Sequence, residues 1–179
     1  AKCATGADGK TRVQVLVAPS GVPIVPDIGW DISHARRLVV ALDALRENRQ
    51  AVQKTYELKP EETPAPDLRE AFAAQLAGRV WNGDKSAPLF SNYWSGTNGW
   101  YRVAYDNGTD TCYSGYPPFG LSDSFPTGGY AVWSEAYPVI GEIARSIYRL
   151  TQASDPASVN YVQKYLPGFG AGTSATNRM

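Results

Sequence analysis

The middle of the chain constrains the fold most, because it concentrates aromatic residues without a regular period. Of the 21 aromatic residues, 14 lie between Trp81 and Tyr137, among glycine, serine, asparagine, aspartate and proline. A half-buried strand repeats its apolar residues at every second position and an amphipathic helix at about every 3.6 positions, and this stretch does neither. We therefore predict an aromatic-rich loop region over residues 82–129 whose tryptophan and tyrosine rings form a binding surface.

Apolar residues at helical spacing flank this loop region. Residues 31–57 begin with a candidate N-cap at Asp31 and carry an apolar stripe from Leu38 to Tyr56, which predicts a long helix. A second helix is predicted to follow Asp67, with a capping-box glutamate three residues later.

Two more helical segments are predicted after the loop region, one within residues 130–152 and one opened by Asp155-Pro156. Alternating valines in residues 12–18 predict a short N-terminal strand. The predicted fold class is mainly α, with two helical hairpins on either side of the aromatic loops.

The length of 179 residues predicts one domain. We assign residues 1–166 to a single helical domain and residues 167–179, rich in glycine, serine, threonine and asparagine, to a flexible tail. The formal net charge is zero and no basic run exceeds Arg36-Arg37, which argues against a nucleic-acid partner. No apolar run approaches the roughly 20 residues that span a bilayer. The sequence leaves the oligomeric state open.

The two cysteines, Cys3 and Cys112, predict one disulfide that ties the N-terminus to the loop region, with two free thiols as the alternative. The chain starts Ala1-Lys2 without a methionine, as a mature protein does after removal of a signal peptide. We therefore expect a secreted, extracellular protein.

Three segments carry a resemblance to a known family: "WDISHARRLVVALDAL", "FAAQLAGRVWNGD…PLFSNYWSGTNGW" and "GGYAVWSEAYPVIGEIARSIYRL". Together they resemble consecutive hairpins of (α/α) toroid carbohydrate-active proteins, a superfamily of polysaccharide lyases and glycosidases, over roughly residues 29–152. In that family, aromatic loops at one rim of the helix ring line a sugar groove. The resemblance implies a partial or minimal toroid, because the chain is too short for a full ring, and it implies a polysaccharide or oligosaccharide ligand.

The aromatic loops and this resemblance together supply the predicted ligand contacts. They are Asn92, Trp94, Trp100, Tyr105, Tyr116 and Phe119. The alternative for Tyr93 and Trp94 is packing of the loops onto the helices. Tyr116 and Phe119 flank two prolines, and this turn either presents stacking platforms or packs as a rigid lid.

Candidate catalytic residues lie beside the same loops. His34 is the only histidine, and a histidine titrates near neutrality and serves as a general base. In the toroid lyases, a tyrosine or histidine moves the proton and an asparagine or arginine neutralises the uronate carboxylate. The resemblance implies those roles for His34, for Tyr93 or Tyr101, and for Asn92 or Arg102.

A glycoside hydrolase needs two opposed carboxylates instead. Asp31 and Glu135 are the candidates, because both lie at predicted helix starts. The alternative for Asp31 is a role as helix N-cap, and for His34 a hydrogen-bonding role at the helix start.

No cofactor or metal is predicted. One histidine and two cysteines make a zinc site of the usual kind implausible. Residues 106–110 resemble a fragment of a calcium loop but lack its downstream glutamate, so a hairpin turn is the preferred interpretation.

Two functions from different classes stay open, an enzyme that degrades polysaccharides by hydrolysis or elimination and a non-catalytic binding or protein-interaction domain. A third hypothesis is a purely structural domain with Trp94, Trp100 and Tyr101 in its core. The enzyme hypothesis predicts a cleft that holds His34 and an acid beside an exposed tryptophan or tyrosine.

Overall fold

The computed structural model describes residues 2–14, 29–64, 67–103 and 115–169, and these residues are mainly helical. They begin with an antiparallel hairpin of β1 (Lys2–Thr5) and β2 (Thr11–Gln14), in which Cys3 pairs with Val13. The predicted strand over residues 12–18 overlaps β2 as far as Gln14, and the rest of it lies outside the described residues.

The predicted long helix is divided at Arg36 into α1 (Ile32–Ala35) and α2 (Arg37–Thr55). Val39 and Leu42 of α2 are buried, whereas Leu45 and Tyr56 of the predicted apolar stripe are 40% and 70% exposed. Burial along the apolar stripe is therefore confined to the first half of α2. The second half of α2 extends beyond the main core, so its apolar side chains are only partly covered.

Short helical segments connect the remaining elements. After α2 come a 3-10 turn at Pro60–Glu62, α3 (Leu68–Gln75) and a π-helical turn at Leu76–Val80. The chain then forms α4 (Ser124–Thr127), a 3-10 segment at Tyr130–Glu135, α5 (Pro138–Gln152) and α6 (Pro156–Tyr165). Helix α2 contacts α3, and α5 contacts both α6 and the 3-10 segment.

Aromatic residues from the middle of the chain form much of the core. Phe90, Phe125, Tyr130 and Trp133 are buried, and the rings of Phe90 and Phe125 stack with their centroids 4.5 Å apart. Burial of a ring removes a large apolar area from water, so these residues stabilise the fold. These four rings therefore belong to the core and contribute no binding surface.

Within the described part of the loop region, isolated backbone bridges replace regular strands. Tyr93 pairs with Asp31, and Tyr101 pairs with Tyr116 through two hydrogen bonds of 2.9 and 2.8 Å. The first bridge attaches the loop region to the start of α1, where the candidate site forms, and the second joins two loop segments to each other. The predicted hairpin turn at residues 106–110 lies outside the described residues.

The C-terminal part of the described chain packs against the domain. Leu166 is buried, the side chain of Phe169 packs on the core, and its backbone NH donates to Asp123 Oδ1. The first residues of the predicted flexible tail therefore belong to the packed structure, and residues 170–179 lie outside the described residues. None of the helices described is long and apolar enough to cross a membrane.

Candidate functional site

An open cleft of about 540 Å³ lies where the start of α1 and the face of α2 meet the aromatic loops. Its lining combines an acid, an imidazole, a guanidinium group and three aromatic rings. The residues are Gly29, Trp30, Asp31, His34, Arg37, Leu38, Ala41, Tyr93 and Tyr101. Four of the predicted catalytic residues are therefore brought together: Asp31, His34, Tyr93 and Tyr101.

Asp31 begins helix α1 and also orients the histidine. Its Oδ1 accepts the backbone NH groups of Ser33 and His34 at 3.0 and 3.1 Å, which satisfies NH groups that the first turn leaves unpaired. Its Oδ2 lies 2.6 Å from Nδ1 of His34. The capping role predicted as the alternative for Asp31 is thus present together with a polar contact in the cleft.

The contact with Asp31 determines which imidazole nitrogen is basic. A carboxylate at Nδ1 favours the tautomer that carries its proton there, which leaves the lone pair on Nε2. Among the described residues, no hydrogen-bond partner contacts Nε2, and the His34 side chain is 36% exposed. The imidazole can therefore accept a proton from a molecule in the cleft.

Two tyrosines extend the polar cluster from the loop side. The hydroxyl oxygen of Tyr101 lies 3.4 Å from Nδ1 of His34, and the hydroxyl group also interacts with the carboxylate of Asp31. The Tyr93 hydroxyl donates to the carbonyl of Trp100 at 2.8 Å, and its ring packs edge-on against Tyr101. The backbone bridge between Tyr93 and Asp31 joins this part of the loop to the start of α1, and the bridge between Tyr101 and Tyr116 joins Tyr101 to a second loop segment.

The electrostatics of the cluster keep the acid charged and the tyrosines neutral. Burial alone would raise the pKa of Asp31, but hydrogen bonds from Ser33, His34 and Tyr101 outweigh it and hold this pKa below its ordinary value. Burial, assisted by the negative charge of Asp31, raises the pKa of both Tyr93 and Tyr101. Both hydroxyl groups are therefore protonated near neutral pH.

Five residues of the cleft are not among the predicted site residues: Gly29, Trp30, Arg37, Leu38 and Ala41. Trp30 is 59% exposed at the edge of the cleft, although it lies outside the aromatic-rich middle of the chain. Arg37 belongs to an ordinary helical basic pair in the sequence, and Leu38 was assigned to the core stripe of α2. The position of Trp30 directly before Asp31, the residue that caps α1, is the sequence feature that could have placed it at the cleft.

Asn92 does not face the cleft, in contrast to its predicted role as a ligand contact. It is fully buried, and its amide nitrogen donates to the carbonyls of Gly99 and Pro117 at 2.8 Å each. Its side-chain oxygen accepts the NH of Leu121 at 2.9 Å. Because these bonds cross-link three loop segments inside the protein, Asn92 has a structural role and no surface for a ligand.

Glu135 is separated from the cluster, since it does not line the cleft and pairs with Arg69 at 3.4 Å. The predicted pair of opposed carboxylates, Asp31 and Glu135, is therefore not assembled in the described cleft.

Arg102 packs its guanidinium group over the ring of Tyr101, with Cζ 5.2 Å from the ring centroid.

The predicted aromatic contacts take different positions. Trp94 is half-buried and stacks on Phe72, with centroids 5.7 Å apart, while Trp100 is 46% exposed. Tyr116 packs beside Tyr101 with a centroid distance of 6.1 Å, and the backbone NH of Phe119 donates to Asn98. None of these four residues lines the cleft.

Three predictions fall outside what the structure describes. Tyr105, the calcium-like loop at residues 106–110 and Cys112 belong to residues 104–114, and the side chain of Cys3 is likewise outside the description. Within the described ranges, no group of three histidine, cysteine, aspartate or glutamate residues is arranged to hold a metal ion.

Comparison with known proteins gave no match, whether against models of protein families, curated proteins or solved structures.

Proposed function

We propose that the protein acts on acidic polysaccharides, cleaving a glycosidic bond beside a uronic acid by β-elimination. The observation that supports this most is the Asp31–His34–Tyr101 cluster in an open cleft beside the exposed ring of Trp30. An enzyme of this kind needs an acid and a base beside the aromatic ring that holds the sugar, whereas a binding surface needs only the exposed ring.

His34 is the proposed base. Asp31 holds the proton on Nδ1, so Nε2 removes the proton on the carbon next to the uronate carboxylate. The bond from the neighbouring carbon to the glycosidic oxygen then breaks, and a carbon–carbon double bond forms in the sugar that has lost its proton. The negative charge of Asp31 stabilises the imidazolium during this step.

Tyr101 is the proposed acid. Its raised pKa keeps the hydroxyl protonated, and it donates that proton to the leaving oxygen. The imidazolium, whose Nδ1 lies 3.4 Å from the tyrosine oxygen, returns a proton to it. Exchange with water in the open cleft restores the starting tautomer of His34.

Cationic and aromatic residues of the cleft provide the proposed substrate contacts. Arg37 lines the cleft and is placed to neutralise the uronate carboxylate, which makes the adjacent carbon more acidic. Trp30 offers an apolar face on which a sugar ring can stack. Elimination is favoured over hydrolysis because, among the described residues that line the cleft, Asp31 is the one carboxylate.

The toroid resemblance supports the same substrate class, and the paired helices α2–α3 and α5–α6 suit a partial ring. Secretion is part of the proposal, since polysaccharides of this kind lie outside the cell.

The test is an assay of wild-type protein against polyglucuronate, polygalacturonate, alginate and a neutral glucan. Unsaturated uronate is followed by ultraviolet absorbance and reducing ends are measured in the same tubes. We expect both signals to rise together on an acidic polymer and to fall at least about 100-fold in His34→Ala, as for loss of a general base. Tyr101→Phe should also lose activity.

Tyr56→Phe is the control, because this tyrosine is 70% exposed at the end of α2 and does not line the cleft. New reducing ends without unsaturated product would show that the protein hydrolyses the glycosidic bond and does not cleave it by elimination. Saturable binding without any product would show a non-catalytic binding module. Activity that survives His34→Ala would contradict the proposed base.

A further inference from the structure

A second concavity, distinct from the cleft around His34, lies between α5 and the loop after the π-helical turn. It has a volume of about 430 Å³ and shares no lining residue with the first cleft. Its lining consists of charged and hydroxyl side chains: Lys85, Ser86, Glu142, Arg145, Ser146 and Arg149.

The loop that carries Lys85 and Ser86 is held in one conformation by its own side chains. Asn82 Oδ1 accepts the NH groups of Asp84 and Leu89 at 3.2 and 3.1 Å. Asp84 Oδ1 accepts the backbone NH and the hydroxyl of Ser86, both at 2.7 Å. The carboxylate of Asp84 is therefore committed to the loop itself, and Lys85 projects from a fixed turn.

The charges that face this concavity are not balanced. The one carboxylate of the lining, Glu142, pairs with Lys85, and its pKa is lowered by Lys85 and also by the charge of Arg145. The lining therefore sets three cations against one carboxylate. In the described part of the chain, neither arginine has a carboxylate within ion-pair distance, and both side chains are exposed. They lie four residues apart on α5, where like charges repel each other and weaken the helix.

We propose that this concavity binds an oxyanion, a sulfate or phosphate monoester, between Arg145 and Arg149. The planar guanidinium group presents paired NH donors that match such oxygens, and an oxyanion removes the repulsion between the two side chains. On the loop side, Lys85 offsets the negative charge of Glu142, which would otherwise repel the anion, and the hydroxyl of Ser146 is a further donor in the lining.

The experiment is a calorimetric titration of the wild-type protein with inorganic sulfate, inorganic phosphate, glucose 6-sulfate and glucose 6-phosphate. We expect saturable binding of both inorganic ions. In the double variant Arg145→Gln/Arg149→Gln, affinity should fall at least about tenfold, since each lost charge-assisted hydrogen bond is worth about that factor. Comparison of the two sugar esters identifies which monoester is the better ligand.

Arg46→Gln/Lys54→Gln is the matched control, because it removes two positive charges from exposed positions of α2. Lys85→Gln provides a second test on the other wall of the concavity, and it should weaken binding by several-fold. The proposal would be overturned if the wild type showed no saturable binding of either ion, or if the control pair weakened binding as much as the α5 pair. Neither result bears on the activity proposed for the cleft around His34.

Discussion

Nδ1 of His34 lies 2.6 Å from Oδ2 of Asp31, the residue that caps the helix on which His34 stands. One carboxylate therefore performs two tasks, since it starts α1 and sets the tautomer of the only histidine. The spacing of three residues places both groups on the same turn. As a result, the geometry of the candidate base depends on the same contacts that form the helix.

We expect Asp31→Asn to lower the stability of the protein near neutral pH but to keep the helix cap, since asparagine caps as well as aspartate. The folded-state pKa of Asp31 lies below the ordinary value of about 3.9, so the unfolded chain binds more protons in that range. The stabilisation is complete above about pH 4 and is lost as the pH falls through the folded-state pKa.

Urea unfolding of both proteins at about pH 6 and about pH 3 measures this difference. The gap in unfolding free energy should be larger at the higher pH. An equal gap at both values would show that the charge of Asp31 has no stabilising role.

Replacement of Asn92 by alanine should destabilise the fold rather than weaken ligand binding. All three hydrogen-bond partners of Asn92 would lose these contacts, and the buried NH of Leu121 would be left unpaired at a cost of about 1–3 kcal/mol. Thermal unfolding of Asn92→Ala therefore should show a much lower Tm than that of Ser95→Ala, a change in the same loop region. A variant with wild-type Tm and weaker glycan binding would restore the ligand contact predicted from the sequence.

Gly115→Ala should disturb the position of Tyr101. A Cβ atom at Gly115 would lie 2.7 Å from the Tyr101 carbonyl oxygen and 2.9 Å from the Val103 nitrogen, so the bridge between Tyr101 and Tyr116 would have to open. Gly83→Ala is the matched control, because Gly83 has nearly the same positive φ, +79° against +78°, but no atom within 4 Å of the added Cβ.

Both variants carry backbone strain of about 1–2 kcal/mol, and only Gly115→Ala adds the steric clash. Chemical denaturation should therefore rank Gly115→Ala as the less stable of the two, and it should lose activity in the cleft as well. Equal unfolding free energies of the two variants would show that the bridge between Tyr101 and Tyr116 opens without loss of stability, and would contradict this prediction.

Tyr130→Phe should cost about 1–3 kcal/mol, although it removes only one oxygen atom. The buried Tyr130 hydroxyl donates to the carbonyl of Ile32 at 2.8 Å, and phenylalanine leaves that carbonyl without this donor. The measurement is urea unfolding beside Tyr148→Phe, in which the changed side chain is exposed on α5. Equal losses of unfolding free energy in the two variants would show that the hydrogen bond from Tyr130 to Ile32 does not stabilise the start of α1.

The mainly helical fold and the proximity of Asp31 to His34 could be predicted from the sequence, since both depend on local spacing and capping. The burial of Asn92 could not, because its partners Pro117 and Leu121 lie 25 and 29 residues away. Local sequence patterns also do not show which aromatic rings are buried and which are exposed. Trp133 is fully buried while Trp30 is exposed, and this depends on how the loops pack across α1 and α3.

The most direct measurement of the central claim is an NMR titration of the imidazole of His34 with oligouronates. Because the chain has one histidine, its ring signals need no assignment by mutation. We predict that the Nε2 and adjacent carbon signals shift saturably with an acidic oligosaccharide and stay unchanged with a neutral one, and that Arg37→Gln weakens this response. Imidazole signals that stay unmoved with every oligouronate, while the protein remains folded, would contradict a substrate site at His34.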